Sequence, residues 1–381
     1  MNHKDPRKKF FLCYFESTRK CNLNCRYCMA KAPRKPPKDH TTELSTKEIK
    51  RLVIDEVKKY CSHGAIAFSG GEHLLRPDAL EILEYTAKAG LWSFINTNGT
   101  LLTSDLLKRV KTATGGKIIF VFSLNSVLPT IQKWSRDDSL WTVIKAARLC
   151  LKAGVNFFFI TTISKSNLKS FSTTVNFLKL KKIPMLRSPF VTRGMGNCHQ
   201  ELALTPEDMK KTIHPVLRNY ALSYVSYTPF FAGPEFLENK WKEMNVEIDQ
   251  LGCQAARGFV GISAEGHVAP CVHLLDNNLK CGNVRDTALT AILRDNEIIK
   301  AVRSRETLKG KCGRCRYKQT CGGCRALAYY KTGDYMAEDP TCFFEPVDET
   351  TRSEHEELQN KNTARFLEFI KTRDPWKSLF R

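Results

Sequence analysis

A chain of 381 residues, 42% hydrophobic and 26% charged, has the makeup of a globular protein with room for one large domain or two ordinary ones. No apolar run approaches the length of a membrane helix, and the charged N-terminus leads into a short apolar run with no small-residue cleavage site, so neither a membrane span nor a signal peptide is expected and the cytoplasm is the expected compartment. In that setting fifteen cysteines point to metal or catalysis rather than disulfides, and a net charge of +21 suits either an acidic partner or simple solubility.

Basic residues gather at Lys4–Lys9 and Lys31–Lys38. The second run holds Pro33, Pro36 and Pro37 and reads as a stiff extended loop. No nucleic-acid motif accompanies either run, so acidic peptides or polycarboxylates are expected ahead of nucleic acid.

Phe10–Phe15 reads as a strand, followed by Cys21-Asn22-Leu23-Asn24-Cys25-Arg26-Tyr27-Cys28. Three thiolates from one loop suit a [4Fe–4S] cube with one iron left open to a ligand that is not protein. A three-cysteine zinc site is a second reading. A third, three small side chains on one helix face, is opposed by the two asparagines and the missing apolar stripe.

Helical and strand-like patterns then alternate. Thr46–Tyr60 is a helix by its stripe of Ile49, Leu52, Val53, Val57 and Tyr60. Gly64–Ser69 is a strand running into Gly70-Gly71-Glu72. Asp78–Ala89 is a helix stopped by Gly90. Leu91–Asn96 is a strand, ending in Asn96-Thr97-Asn98-Gly99. Ser104–Thr112 is helical, and Lys117–Leu124 is a strand ending near Ser123 and Asn125. Trp141–Ala153 is a helix, Val155–Ile163 a strand, Leu168–Leu180 a helix and Ile183–Phe190 a weaker strand.

Six β/α repeats imply a parallel sheet with right-handed crossovers; periodicity does not separate an open sheet from a barrel. The cysteine loop, Ser69–Glu72, Asn96–Asn98, Ser123–Asn125, Thr161–Thr162 and Arg187 all fall near the C-terminal ends of strands. In parallel α/β folds that edge binds ligands.

Thr205–Tyr220 reads as a further helix, and Tyr224–Phe236 as an aromatic connector. The second cysteine-dense stretch holds Cys253 and Cys271, then Cys312-x2-Cys315-x5-Cys321-x2-Cys324-x17-Cys342. Taken alone, Cys312–Cys324 suits a zinc knuckle as well as a cluster. Asp348–Ile370 is a charged amphipathic helix, ended by Asp374-Pro375.

The first loop resembles that of the radical S-adenosylmethionine (SAM) enzymes, Cys-x3-Cys-x-aromatic-Cys, with Tyr27 in the aromatic place. The later cysteines resemble the SPASM extension of that family, and together the two likenesses span almost the whole chain. The resemblance implies an α/β fold, a partial (β/α)6 TIM-like barrel over residues 1–222. A connector over 223–250, a small cysteine-rich SPASM domain over 251–345 and a helical tail over 346–381 would follow it.

For the site, the resemblance implies that Cys21, Cys25 and Cys28 hold a [4Fe–4S] cluster with SAM on its open iron. Ser69, Gly70, Gly71 and Glu72 would hold the methionyl ammonium, Ser123 and Asn125 the ribose, and Asn98 and Arg187 the adenosine and the methionyl carboxylate. The family usually has proline after the glutamate; here His73 stands, which would alter the rigidity of the loop or place an imidazole near the cluster as a catalytic candidate. Two auxiliary [4Fe–4S] clusters would follow, one on Cys253, Cys271 and Cys324, the other on Cys312, Cys315, Cys321 and Cys342. Cys281 is a candidate fourth ligand for the first auxiliary cluster or a packing cysteine. Cys198 lies on the ligand edge and is a candidate for a role there.

The implied activity is reductive cleavage of SAM to a 5′-deoxyadenosyl radical and oxidation of a ribosomally made peptide or protein. The alternative is a tetrapyrrole substrate in haem or haem d1 synthesis, and outside enzymes an iron–sulfur electron-transfer or scaffold protein. A flavodoxin or ferredoxin is the expected electron donor. A separate peptide-recognition protein is the expected partner in the peptide case, because only about ten residues precede the first strand, too few for a recognition domain.

Overall fold

The structure is a computed structural model that describes residues 10–31, 42–61, 63–181, 183–218, 252–275, 279, 281–319 and 321–346. The Lys4–Lys9 cluster, residues 32–41, the expected connector with Tyr224–Phe236, and the tail helix Asp348–Ile370 lie outside the described residues.

The alternation produces a parallel sheet as expected. β1 (Phe10–Thr18), β2 (His63–Gly70), β3 (Trp92–Thr97), β4 (Ile118–Ser123), β5 (Asn156–Ile163) and β6 (Met185–Pro189) pair in sequence, every pair parallel. Ile118–Phe122 is buried along its whole length, because a curled parallel strand is covered on both sides. The sheet curls into a half-barrel. Helices return the chain between strands at Ala79–Lys88, Ser104–Thr114, Leu140–Ala153 and Leu168–Leu180. Thr103 caps Ser104–Thr114 by accepting the Leu106 amide at 3.1 Å, and Gly115 ends it at φ +57°, a left-handed stop that glycine adopts without strain. The first helical segment, residues 46–60, is wound as a π-helix through Ile49–Ile54.

Two features were absent from the sequence reading. One is a short helix, Pro129–Arg136, between β4 and β5. The other is an extension of the sheet beyond β1: β7 (Phe259–Ile262) pairs parallel to β1, and β8 (Val268–Ala269) pairs antiparallel to β7. Accordingly, the described residues within 254–304 belong to the same compact unit as the sheet, whereas the described residues within 204–253 and within 305–346 form a second unit.

Register sorts the side chains onto two faces. Tyr14, Ser69, Phe94, Val121, Phe158, Leu186 and Ser188 fall on the concave face. Lower on that face Ile119, Val121 and Phe158 pack together with Trp92, Phe94, Ile160 and Leu186 as an apolar floor. Polar groups cluster at its C-terminal rim. Among the described residues no helix is long and apolar enough to cross a membrane.

Candidate functional site

The cysteine loop emerges from β1 and is gripped by groups at the ends of four other strands. After β2, the Gly71 amide donates to Thr18 O and the Glu72 amide to Lys20 O, both at 2.7 Å. A Cβ on Gly71 would lie 1.9 Å from Lys20 O, so only glycine permits this approach. After β3, Asn98 Nδ2 donates to Asn22 Oδ1 at 2.8 Å. After β4, Asn125 Nδ2 donates to Tyr27 OH at 2.9 Å. After β6, the Met195 amide donates to Cys28 O at 3.0 Å, and Gly194, at φ +62°, leaves no room for a Cβ against Met29 O.

Glu72 is buried and accepts from the Asn98 amide at 2.9 Å, Thr97 Oγ1 at 3.0 Å and the Leu74 amide at 3.3 Å. Burial raises its pKa, with these donors opposing. Its carboxylate thus ties the end of β2 to the end of β3 and keeps lone-pair capacity in reserve. Ser69 accepts from Tyr14 OH at 2.9 Å. Ser123 lies on the concave face, in register with Ile160. Asn125 is buried and holds Tyr27, Ser135 and the Thr162 amide at once, so it braces the loop's aromatic residue. Arg187 pairs in register with Thr161, which puts it on the face opposite to Leu186 and Ser188.

His73 is fully buried and stacks on Phe68 with ring centroids 4.6 Å apart. Its Nδ1 lies 2.8 Å from Ser17 Oγ, which itself donates to Ser69 O. Nδ1 therefore carries the proton, and Nε2 has no hydrogen-bond partner. Burial, with Arg76 nearby, lowers its pKa to about 3. Its ring is therefore neutral and packed against Phe68.

Sequence reasoning missed the corner that closes over the loop. At the end of Pro129–Arg136, Ser135 O accepts the Arg26 amide at 3.2 Å and Trp134 O accepts Arg26 Nε at 3.2 Å. The Arg26 guanidinium lies 4.6 Å from the Trp134 ring centroid. Asp137 Oδ2 accepts the Asn24 amide at 2.7 Å, from a residue held at φ +56°, ψ −168°. Between these groups stands Arg136. Burial works against its charge, but Cys25, Cys28, Tyr27 and Cys21 hold its pKa above the ordinary value.

Whether these residues suit an iron–sulfur cluster can be judged from the thiols themselves. Among the described residues no three His, Cys, Asp or Glu side chains stand in closed metal-binding geometry. The loop thiols are nevertheless neighbours: burial, with Cys25, Glu72 and Cys28 adding, pushes Cys21 up to about 11. Cys25 is raised by burial, with Arg136 opposing. Crowded thiols that resist ionisation, facing a fixed cation, suit a metal group that deprotonates them on binding.

The second unit repeats this arrangement. Cys312, Cys315, Cys321 and Cys342 line one hollow, with Tyr317 and Phe344. Burial pushes Cys342 up to about 12, with Asp339, Cys312 and Cys315 adding. Cys312 Sγ accepts from the Asp339 amide at 3.4 Å and from Arg325 at 3.6 Å. Arg305 and Arg325 are both buried. Cys324 donates its amide to Asp339 Oδ2 at 2.6 Å, and Cys253 donates to Cys321 O at 2.9 Å. Four thiols, N–H donors to sulfur and buried cations fit a four-thiolate cluster.

Cys271 and Cys281 lie in the first unit. Cys271 opens the turn Val272–Leu274. Cys281 is buried, its thiol pushed up to about 12 by burial, and its amide donates to Val268 O. Cys198 is exposed at the end of Gly194–Cys198.

Comparison with known proteins follows this geometry. A family model described as the radical SAM superfamily matches residues 15–178, and SPASM, described as an iron–sulfur cluster-binding domain, matches residues 253–324. The AdoMet-dependent heme synthase of Methanosarcina barkeri is 32% identical over 345 residues, 87% of this chain and 96% of the relative. That of Nitratidesulfovibrio vulgaris is 29% identical over 87% of this chain and 92% of the relative. Among solved structures, Streptococcus suis SuiB bound to the precursor peptide SuiA superposes with a TM-score of 0.68 at 18% identity, over 88% of this chain and 76% of that one. At that identity the likeness is one of fold.

Proposed function

The chain belongs to the radical SAM superfamily and carries its SPASM iron–sulfur extension, and from that premise we propose that it oxidises the propionate side chains of a tetrapyrrole. It is an oxidative, SAM-dependent enzyme with [4Fe–4S] clusters and SAM as cofactors. The observation that carries the substrate class is likeness to a heme synthase along 96% of that protein's length. The sequence resemblance puts a peptide first and a tetrapyrrole as its alternative; the relation to the heme synthase, over 87% of this chain, supports the alternative. A net charge of +21 suits a polycarboxylate.

In this reading Cys21, Cys25 and Cys28 hold the SAM-binding cluster, and the rim from Ser69 to Glu72, with Asn98 and Ser123, receives SAM; Asn125 braces the loop from behind, and Arg187, on the opposite face of β6, is left out of the expected set. Cys312, Cys315, Cys321 and Cys342 hold an auxiliary cluster. When bound, these groups supply the 5′-deoxyadenosyl radical that takes a hydrogen atom and the acceptor that takes the remaining electron. A propionate that loses one hydrogen atom, one electron and carbon dioxide becomes a vinyl group. The protein's own part is to fix the loop through four strand ends, to offer an apolar floor to a flat macrocycle and to exclude water there.

The test is anaerobic turnover of the reduced enzyme with SAM and iron-coproporphyrin, against a peptide encoded beside the gene. Loss of carbon dioxide from the porphyrin, with 5′-deoxyadenosine formed, is the expected result. An unchanged porphyrin beside a peptide two hydrogens lighter overturns the assignment.

A further inference from the structure

From Ser139 to Gln200 the sequence carries no aspartate or glutamate, although the chain as a whole holds 39. That stretch contains the helices that follow β4 and β5, Leu140–Ala153 and Leu168–Leu180. Right-handed crossovers between neighbouring parallel strands put both on the convex side of the sheet. The first helix buries one apolar face against the sheet. On its other face Trp141, Lys145, Arg148 and Lys152 follow at intervals of three and four residues, with Leu151 beside them, and all five are exposed. Trp141 is 68% exposed, Leu151 65% and Leu180, which ends the second helix between Lys179 and Lys181, 76%. Lys145, Arg148, Lys152 and Lys181 have no carboxylate partner among the described residues. Single exposed hydrophobic residues are ordinary; side chains this open, set in a basic field with no acid to balance it, mark a surface that meets something.

We propose that the outer face of these two helices docks on an anionic lipid bilayer, with the protein lying on the membrane rather than crossing it. Lysine and arginine carry their charges to the lipid phosphates, while Trp141, Leu151 and Leu180 enter the boundary between headgroups and acyl chains. Tryptophan suits that boundary because its ring is apolar and its one N–H can stay with the headgroups. A nucleic acid would satisfy the charges but give the three apolar side chains nothing to bury in. The cations themselves argue against a protein partner. Lys145, Lys152, Lys179 and Lys181 outnumber Arg148, whereas protein interfaces are poor in lysine and rich in arginine. None of these residues belongs to the cysteine loop or the strand rim, so the inference is independent of the substrate class.

The test is flotation of the full-length, reconstituted protein with vesicles of phosphatidylglycerol and phosphatidylcholine in equal parts, and with vesicles of phosphatidylcholine alone. Wild type should float with the first and not the second, and less so as salt is raised. Floating with neither, or with both alike, overturns the proposal. Trp141→Ser, Leu151→Ser and Leu180→Ser together should weaken binding several-fold while 5′-deoxyadenosine still forms at the wild-type rate, which reports a folded enzyme; wild-type flotation of that variant overturns the proposal. Lys145→Gln, Arg148→Gln and Lys152→Gln together should also weaken binding several-fold. Lys4→Gln, Lys8→Gln and Lys9→Gln remove the same charge elsewhere and should not. Equal losses in the two charge variants overturn the proposal in favour of bulk charge, and so does retention on duplex DNA at a salt concentration where no vesicle binds. Where the apolar variant fails to fold, the two charge variants decide.

Discussion

Arg193 donates Nη1 to Glu16 Oε1 at 2.8 Å, and the carboxylate is fully buried at the end of β1. Three further donations from Arg193, to Glu16 Oε2, Val272 O and Leu275 O, tie the turn after β6 to the segment after Cys271. Truncation to alanine leaves the buried Glu16 carboxylate with only Arg19 Nη1, at 4.0 Å, so Arg193→Ala should destabilise the protein by about 3 kcal/mol, measured by denaturant unfolding. His73 gives a pH signature. The folded protein keeps its imidazole neutral down to about pH 3, whereas the unfolded chain takes up the proton near 6.5. The folded-state pKa is depressed, so stability is complete above 6.5 and is lost as pH falls from there toward 3. His73→Phe should flatten that slope by up to about 1.4 kcal/mol per pH unit; parallel slopes for variant and wild type would contradict it. At this scale the cysteines were legible in the sequence, because ligand spacing is local. The corner at Ser135–Asp137 was not, because nothing adjacent in sequence reveals that it is hydrogen-bonded to the cysteine loop at Arg26 and Asn24.

The six strands up to β6 were legible as elements, since each is an apolar run closed by turn residues. Pro129–Arg136 was not, because its polarity is inverted: Gln132 and Ser135 are buried while Trp134 is 38% exposed. A reading by apolar stripe passes over a helix that packs through hydrogen bonds. β7 and β8 escaped for a different reason. They are four and two residues long, and what makes them strands is pairing with β1 and with each other. The turn after β2 offers the element-scale prediction. Gly71→Ala must push the Lys20 carbonyl away and loosen the loop from the sheet. Iron bound at the loop should fall several-fold, while far-UV circular dichroism of the folded protein changes little. Wild-type iron content in Gly71→Ala would show that the loop tolerates the displacement.

Over the whole molecule, two sets of thiols divide the work in the proposed reaction, and the division can be read by mutation. Replacing Cys21, Cys25 and Cys28 with alanine should abolish 5′-deoxyadenosine formation. Cys321→Ala, in the second unit, should leave SAM cleavage measurable and remove oxidised product, as resolved by chromatography of the same reaction mixture. Loss of both products in equal measure would mean that the second unit supports folding rather than electron transfer. β1 supplies a last consequence, one of timing during synthesis. Its register partner Leu12↔Phe259 lies on the order of 250 residues downstream. While a ribosome works through that distance at roughly 5–20 residues per second, one side of β1 has its backbone donors and acceptors bare. A nascent chain in that state is open to pairing with another copy, so slowing elongation between β6 and β7 should raise aggregation during expression, and binding of a holdase chaperone should lower it.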